Sequence, residues 1–296
     1  MNCRFPLNGF FVTGFFNLVA DVYAEQTGLK KIDDYTPFFD YLVSYFGNFR
    51  TVCILKKGSE RRNETKFIQD VFAEAGFEVH TLACEEIPDN LPLLQDAAVI
   101  CELDHQDLLS LPQHALEAVV QAHALNDLRT VFLAHDKRFF SVLNQDEFLL
   151  SAFTSSEAEE LRKYLVPTYM ASERADLWES ARRNKDGWIL KPCVFGKSKN
   201  VFAGKVTDQQ DWDRLFAEGE TAGMVLQPFI EQRLFNGTIG AQQYRDYVVG
   251  TLLYFSDQYF GPGIFRASSF PVTNIKDDRK LAPFVTADAL SFASSI

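Results

Sequence analysis

Short apolar segments in the first half of the chain constrain its fold more than any other feature. Thr51–Leu55, Phe77–Leu82 and Ala97–Cys101 are rich in apolar or β-branched side chains, and Val131–Leu133 is a fourth such run. Segments with helical periodicity separate them. Short apolar strands that alternate with helices are typical of a parallel sheet covered on both faces. We therefore predict a Rossmann-like parallel sheet over residues 51–135.

The second half of the chain has a different pattern. Residues 136–185 are mainly helical in character, and the strand-like segments beyond Gly187 have polar interruptions that favour an antiparallel sheet with one solvent-exposed face. The predicted strands are Trp188–Leu190, Asn200–Val206, Met224–Gln227, Tyr247–Phe255 and Gly263–Arg266. The predicted fold class is α/β, changing to α+β in the C-terminal half. We predict a segment at 1–50 that packs on the core, a domain at 51–135 and two further lobes within 136–296.

Charge and cysteine usage exclude several classes of function. The 296 residues include 29 Lys and Arg against 40 Asp and Glu, a net charge of −11, which disfavours general binding to nucleic acid or to anionic membranes. The five cysteines are odd in number and widely spaced, as expected for free thiols in a reducing compartment. No apolar run approaches the roughly 18 residues of a membrane span, and the N-terminus lacks the basic region of a signal peptide. We expect a cytoplasmic protein that binds neither membranes nor nucleic acid.

Lys191 comes directly after the apolar strand Trp188–Leu190, and Pro192 follows it. An ammonium group at the end of a buried strand is costly to desolvate unless it meets an anion. The next loop carries Gly196, Lys197 and Ser198, and such a turn can donate backbone and side-chain hydrogen bonds to phosphate. A polar hairpin with solvated lysines is the alternative interpretation. The spacing is not that of a Walker A loop.

Three more residues are candidates for a binding site. Gln227 ends an apolar strand before Pro228, where backbone amides can read the edge of an adenine; a plain core strand is the alternative. Arg266 lies within an apolar strand and cannot lose its charge, so it must face a carboxylate, a phosphate or water. Lys137 follows Asp136 at a predicted strand-to-helix corner, from which a second ammonium group can reach a triphosphate.

The order of these segments resembles that of ATP-grasp enzymes, and more closely that of the circularly permuted branch typified by glutathionylspermidine synthase. After the Lys-Pro strand, the glycine loop and the Gln-containing strand, that branch has a Val-Val-Gly strand and a Gly-Ile-x-Arg strand. This chain has Val248-Val249-Gly250, Gly263-Ile264-Phe265-Arg266, Thr273-Asn274 and Ala282-Pro283-Phe284-Val285 in that order. Asn2 resembles the asparagine of the branch's Glu-x-Asn magnesium motif. The resemblance is best over 131–285.

The resemblance implies a two-lobed ATP-grasp cleft and a role for each candidate residue. Lys137 and Lys191 would bind the ATP phosphates from the two sides of the cleft. Gln227 would line the adenine pocket, Asn2 would ligate Mg²⁺, and Gly196, Lys197 and Ser198 would form a lid over the phosphates. Arg266 and Lys191 would be the catalytic residues, with Arg266 stabilising charge on the transferring phosphoryl group. The implied reaction joins a small-molecule carboxylate to an amine through an acyl phosphate, with ATP and Mg²⁺ as cofactors.

The same resemblance places the other magnesium ligands, including the glutamate of the motif, upstream of Met1. We therefore expect a protein partner or an upstream lobe to supply them, with Asp21, Asp246 and Asp257 as internal candidates. Three functions remain open. The chain is an ATP-dependent ligase, an ATP-binding protein of the same fold that is degenerate or completed by a partner, or an unrelated α/β protein with surface lysines.

One basic patch lies outside these segments. Lys56, Lys57, Arg61 and Arg62 follow the first predicted strand. They form either a solvated turn or a contact for an anionic substrate at the carboxyl end of the strand, where sheets of this class bind ligands.

Overall fold

A computed structural model describes residues 6–28, 30–31, 36–58, 62–194, 200–217, 219–239, 242–255, 260–273, 280–282 and 285–286. The chain divides into two compact units. The first comprises Met1–Phe132, Val249–Ala267 and Lys280–Ile296, and the second Leu133–Val248 and Ser268–Arg279. No helix in the described part of the chain is long and apolar enough to cross a membrane.

The N-terminal part of the first unit alternates helices and strands. Its elements are α1 (Pro6–Thr27), β1 (Lys30–Lys31), α2 (Thr36–Tyr45), β2 (Thr51–Lys56), α3 (Arg62–Glu74), β3 (Glu78–Ala83), a 3₁₀ helix (Cys84–Asp89), α4 (Leu91–Asp96), β4 (Ala97–Cys101), α5 (His105–Ser110), α6 (Gln113–Gln121), β5 (His123–Ala124) and a π-helical turn (Thr130–Ala134) that ends in the second unit. The predicted α/β class is confirmed.

The second unit begins with helices and continues with strands. Its elements are α7 (Phe139–Leu143), α8 (Asp146–Ala152), α9 (Ser155–Arg162), α10 (Ala175–Arg183), a 3₁₀ turn (Lys185–Gly187), β6 (Trp188–Pro192), β7 (Phe202–Ala203), a 3₁₀ turn (Gly204–Val206), α11 (Gln209–Ala217), a 3₁₀ turn (Glu220–Gly223), β8 (Met224–Pro228) and β9 (Leu234–Ile239). The last strands are β10 (Gln242–Phe255), which contributes to both units, then β11 (Phe260–Ser268), β12 (Lys280–Ala282) and β13 (Val285–Thr286).

A parallel sheet in the order β3-β2-β4-β5 organises the first unit. Successive residues of its central strands face opposite sides: Cys53 and Leu55 enter one core with α4 and α6, and Val52 and Ile54 enter another with α2 and α3. All four side chains are fully buried. Because both faces are covered, the central strands are apolar throughout, which is the pattern that predicted them.

The prediction of a strand at Val131–Leu133 is wrong. The fourth strand is β5, and it is two residues long because the Asn126 side chain takes over the pairing: its Oδ1 accepts from Cys101 N at 3.0 Å, and its Nδ2 donates to Cys101 O. Val131–Leu133 lies in the π-helical turn, where Leu133 is 56% exposed. The apolar composition of that run therefore does not reflect two-sided burial.

A small antiparallel sheet in the order β7-β6-β8 lies in the second unit. Leu190 and Leu226 pack on one of its faces against Trp178 and Trp212. Trp212 is fully buried, and its Nε1 donates to Ala181 O at 3.1 Å. This tryptophan therefore joins α11 to α10 beneath the sheet.

The predicted strand Asn200–Val206 is correct only at Phe202–Ala203. The chain turns at Gly204 because its backbone lies directly against Lys185, whose Nζ donates to Gly204 O at 2.6 Å. A Cβ at Gly204 would overlap the carbonyl oxygen of Lys185. The hydroxyl of Thr207 donates to Ala203 O at 2.8 Å and closes the turn.

A second antiparallel sheet has the order β12-β11-β10-β9. The pairing of β9 with β10 changes register between Tyr244 and Tyr247, where Asp246 has a positive φ of 59°. The amide of Asp246 donates to Asn236 Oδ1 at 2.9 Å, which holds this β-bulge.

The close approach at Gly204 leads to a prediction about stability. Gly204→Ala should destabilise the protein by about 1–3 kcal/mol, since the overlapping atom is backbone and cannot move without shifting the turn. Gly223→Ala is the matched control, because its added Cβ would have no atom within 4 Å. Urea denaturation of both variants measures the difference, and equal stability of the two would contradict this account.

Candidate functional site

Lys191 and Gln227 lie on the face of the small sheet opposite its core. In the β6–β8 pairing, Leu190 is opposite Leu226, and both enter the core. Because side chains alternate along a strand, the neighbours Lys191 and Gln227 project from the other face. There Lys191 Nζ donates to Gln227 Oε1 at 2.8 Å. The structure thus brings together two of the residues predicted from sequence.

The carboxamide of Gln227 has its orientation fixed by a buried threonine. Gln227 Nε2 donates to Thr168 Oγ1 at 2.6 Å, and the Thr168 hydroxyl donates to Val166 O at 3.0 Å. The backbones of Tyr169 and Leu226 exchange two hydrogen bonds, which attaches this segment to β8. Because the amide nitrogen is bound by Thr168, the amide oxygen must face Lys191.

Burial lowers the pKa of Lys191, because desolvation disfavours its charged form. Within the described ranges, no carboxylate forms an ion pair with it, and its hydrogen-bond partner there is the neutral amide of Gln227. A half-buried ammonium without a counterion is an unfavourable arrangement for stability. An anionic ligand beside it would offset that cost.

Lys137 is attached to the segment that follows β6. Its backbone amide donates to Cys193 O at 2.9 Å, and its Nζ donates to Pro192 O at 2.8 Å. His135 Nε2 lies 3.1 Å from Val194 O. The ammonium of Lys137 therefore contacts the carbonyl group of the residue next to Lys191, within the same unit.

Asp136 holds the neighbouring Arg138. Its carboxylate accepts from Arg138 Nε and from the backbone amide of Arg138, at 3.0 and 2.9 Å. This bonding raises the pKa of Arg138.

Burial, helped by the charge of Asp136, raises the pKa of the Cys193 thiol. Burial therefore favours the uncharged form of the Cys193 thiol.

The other predicted site residues either belong to the first unit or lie outside the described residues. Arg266 is half-buried in β11 opposite Leu281, and it belongs to the first unit. Asn2, Gly196, Lys197 and Ser198 lie outside the described residues, as does Asp257. Their predicted roles, and that of Arg266, stay predictions.

The described residues do not form a magnesium site. Asp21 and Asp246 are exposed and belong to different units. In the described ranges no three His, Cys, Asp or Glu side chains are grouped so that they could hold a metal ion. Mg²⁺ prefers several oxygen ligands in near-octahedral geometry, and these side chains do not fit that requirement.

Thr168 is the functional candidate that sequence reasoning missed. It is 3% exposed and lies between Pro167 and Tyr169, within the range that the sequence predicts to be mainly helical. Its partner Gln227 is 59 residues away along the chain. A single buried threonine in a turn has no periodic pattern that could identify it.

Comparisons with known proteins agree with the resemblance in part. Residues 1–133 match the family described as the AnkG N-terminal domain. A curated protein described as ATP-grasp enzyme ankG, from Aspergillus thermomutatus, is 28% identical over 199 residues, covering 60% of this chain and 40% of that protein. The chain thus spans about two fifths of the relative's length. None of this names glutathionylspermidine synthase, so that finer resemblance stays a prediction.

One solved structure that matches is the crystal structure of macrocyclase MdnC bound with precursor peptide MdnA from Microcystis aeruginosa MRC. The match has a TM-score of 0.41 and 13% identity, and it covers 83% of this chain and 81% of that chain.

The buried amide gives a prediction about Thr168. Thr168→Val leaves Gln227 Nε2 without its acceptor and should lower the free energy of unfolding by about 1–3 kcal/mol. Thr221→Val is the control, because Thr221 is half-buried and its hydroxyl bonds no described residue. Urea denaturation provides the measurement. A loss for Thr168→Val no larger than for the control would show that Thr168 does not hold Gln227.

Proposed function

We propose that this protein is an ATP-dependent carboxylate–amine ligase of the ATP-grasp type. The observation that carries the proposal is Lys191, a desolvated ammonium group held by a neutral amide. The order of the Lys-Pro, Gln-Pro and Gly-x-x-Arg segments supports it. So does the similarity to a protein described as an ATP-grasp enzyme.

A triphosphate is the ligand that this arrangement suits best. Gln227 orients the Lys191 ammonium without pairing it with a negative charge. Phosphate oxygens would supply the counterion, and the charge-assisted hydrogen bonds would be strong in a site from which water is partly excluded. Gln227, which the resemblance assigns to the adenine pocket, would contact the nucleotide from its position beside the lysine.

The other roles follow from the family resemblance. Lys137 would bind the phosphates together with Lys191, and Gly196, Lys197 and Ser198 would cover them. Arg266 would stabilise the charge of the transferring phosphoryl group. Mg²⁺ belongs to the proposal through the resemblance alone, with Asn2 as its ligand. The described side chains do not fit the metal.

The proposed reaction has two steps. A carboxylate oxygen of the first substrate attacks the γ-phosphorus of ATP, ADP leaves, and an acyl phosphate forms. The amine of the second substrate then attacks the acyl carbon, inorganic phosphate leaves with the carboxylate oxygen, and the amine loses a proton. The chain's own contribution is to position the phosphates and stabilise their charge, and no side-chain nucleophile is needed.

A second candidate is an ATP-binding protein without ligase turnover of its own, or one completed by a partner. This is the second of the functions that the sequence leaves open. ATP binding is common to both candidates, whereas product formation is expected only of the first. A cytoplasmic location remains the expectation from cysteine usage.

The role of Lys191 predicts opposite changes in binding and stability. Lys191→Met should weaken Mg-ATP binding by about tenfold or more, since it removes charge-assisted hydrogen bonds. It should leave the ligand-free protein as stable as before or more stable, because an uncompensated buried charge is removed. Calorimetric titration measures the first effect and thermal unfolding the second.

Lys205→Met is the matched control, because Lys205 is an exposed lysine of the same unit that pairs with Glu231 at 2.7 Å. Its ATP affinity should stay close to that of the unmodified protein. Unchanged ATP affinity in Lys191→Met, or an equal loss in both variants, would refute the role of Lys191.

Isotope transfer tests the ligase reaction itself. With Mg-ATP, an ¹⁸O-labelled carboxylic acid and an amine, we expect ADP, an amide and inorganic phosphate carrying one ¹⁸O atom from the acid. Mass spectrometry of the phosphate reads the label, and Lys191→Met should lose turnover. Labelled AMP in place of labelled phosphate would contradict the acyl phosphate, and ATP binding without products would select the second candidate.

A further inference from the structure

A cavity of about 380 Å³ lies in the first unit, at the carboxyl edge of the parallel sheet. Its volume is within the roughly 300–1,000 Å³ range of small-molecule sites. The polar residues that line it follow three neighbouring strands: Lys57 after β2, Cys84 and Glu85 after β3, and Asp107 and Ser110 in the helix after β4. Pro88, Leu111 and Pro112 form the apolar part of its wall.

The position of the cavity follows from the topology of the sheet. The chain passes from β2 to β3 on one side and then returns to β4 on the other side of β2. Where the connections after neighbouring strands run in opposite directions, a crevice opens at the carboxyl ends of those strands. Open α/β sheets bind their ligands in such crevices. Lys57 stands at the end of β2 in that crevice.

The charges of the lining leave a negative excess. Lys57 Nζ pairs with Asp107 Oδ1 at 3.3 Å, and Asp107 Oδ2 accepts from Asp104 N at 3.0 Å. Glu85 has no cationic partner in the described part of the chain, so two carboxylates face one ammonium group. The basic patch, which the sequence left open as either a solvated turn or an anion contact, is therefore compensated at Lys57.

Gly58 leaves room for the Glu85 carboxylate at the cavity wall. A Cβ added at Gly58 would be 2.6 Å from Glu85 Oε1, so the carboxylate rests against the glycine backbone. The Glu85 carboxylate is the end of an exposed, flexible side chain. A Cβ at position 58 would therefore displace it without disturbing the fold. Because Gly58 has no side chain, the Glu85 carboxylate can lie at the cavity wall.

The thiol in the wall is uncharged. Burial is the largest cause of the raised pKa of Cys84, and its Sγ donates to Asp107 O at 3.6 Å. The hydroxyl of Ser110 donates to the same carbonyl at 2.7 Å. Neither group is activated as a nucleophile, so the cavity is suited to binding and not to covalent chemistry.

We propose that this cavity binds a small organic ammonium ion, with its nitrogen at the carboxylates of Glu85 and Asp107 and its hydrocarbon part against Pro88, Leu111 and Pro112. In the ligase proposed above, such a ligand would be the acceptor amine. That role rests on the proposed function, whereas the binding itself does not.

The test uses two probes of equal length and opposite charge, the butylammonium ion and butyrate, without ATP. Chemical-shift titration of the ¹⁵N-labelled full chain measures affinity and location. Butylammonium should shift the amides of Lys57, Glu85 and Ser110 and bind at least about fivefold more tightly than butyrate. Equal or tighter binding of butyrate, or shifts confined to other residues, would overturn the proposal.

Two variants test the contribution of Glu85. Glu85→Gln removes its charge, and Gly58→Ala displaces the carboxylate while keeping the charge; each should weaken butylammonium binding by about fivefold or more. Asp89→Asn is the control, since Asp89 is an exposed acid of the same 3₁₀ helix outside the cavity lining. Equal weakening by Asp89→Asn and Glu85→Gln would mean nonspecific attraction and would overturn the site. Because ATP is absent, these outcomes are independent of the ligase test.

Discussion

Two-sided burial of β2 and β4 is the constraint on which the first unit depends. Their backbone groups have no access to water, so each must be paired within the parallel ladder. Every fully buried Ile or Leu on these strands contributes about 1.5–3 kcal/mol, and the side chains alternate between two cores. Since both faces are occupied, a ligand can approach this sheet only at its edges. The cavity beside Lys57 lies at the carboxyl edge for that reason.

The sequence predicted the elements whose own composition reflects their burial. Thr51–Leu55 and Ala97–Cys101 are apolar because both faces of the sheet are covered, so they were identified with nearly correct bounds. β5 could not be identified, because it is two residues long and ends where Asn126 bonds to Cys101, 25 residues away. Val131–Leu133 has the apolar composition of a buried strand, but Leu133 is exposed. Only the tertiary structure distinguishes such a run from a buried strand.

The candidate site shows the same limit. Lys191 and Gln227 were identified because a polar side chain interrupts the end of an apolar strand, which is a local pattern. Their hydrogen bond depends on the register of β6 against β8, and the sequence does not contain that register in any local form. Thr168 and the attachment of Lys137 to Pro192 depend on contacts between segments more than 50 residues apart. Local patterns therefore locate charged groups, and tertiary contacts decide what those groups face.

The partner of Lys191 is a neutral glutamine, which suits the proposed anion site better than a structural ion pair would. A glutamate at position 227 would pair with the lysine, favour its charged form and leave little net charge for a phosphate. A leucine would leave the ammonium without any hydrogen-bond acceptor at that position. Gln227 orients the ammonium through one oxygen and brings no negative charge to it, while Thr168 prevents the amide from turning its nitrogen toward the lysine. The resulting arrangement costs stability in the free protein, and an anion bound beside Lys191 would reduce that cost.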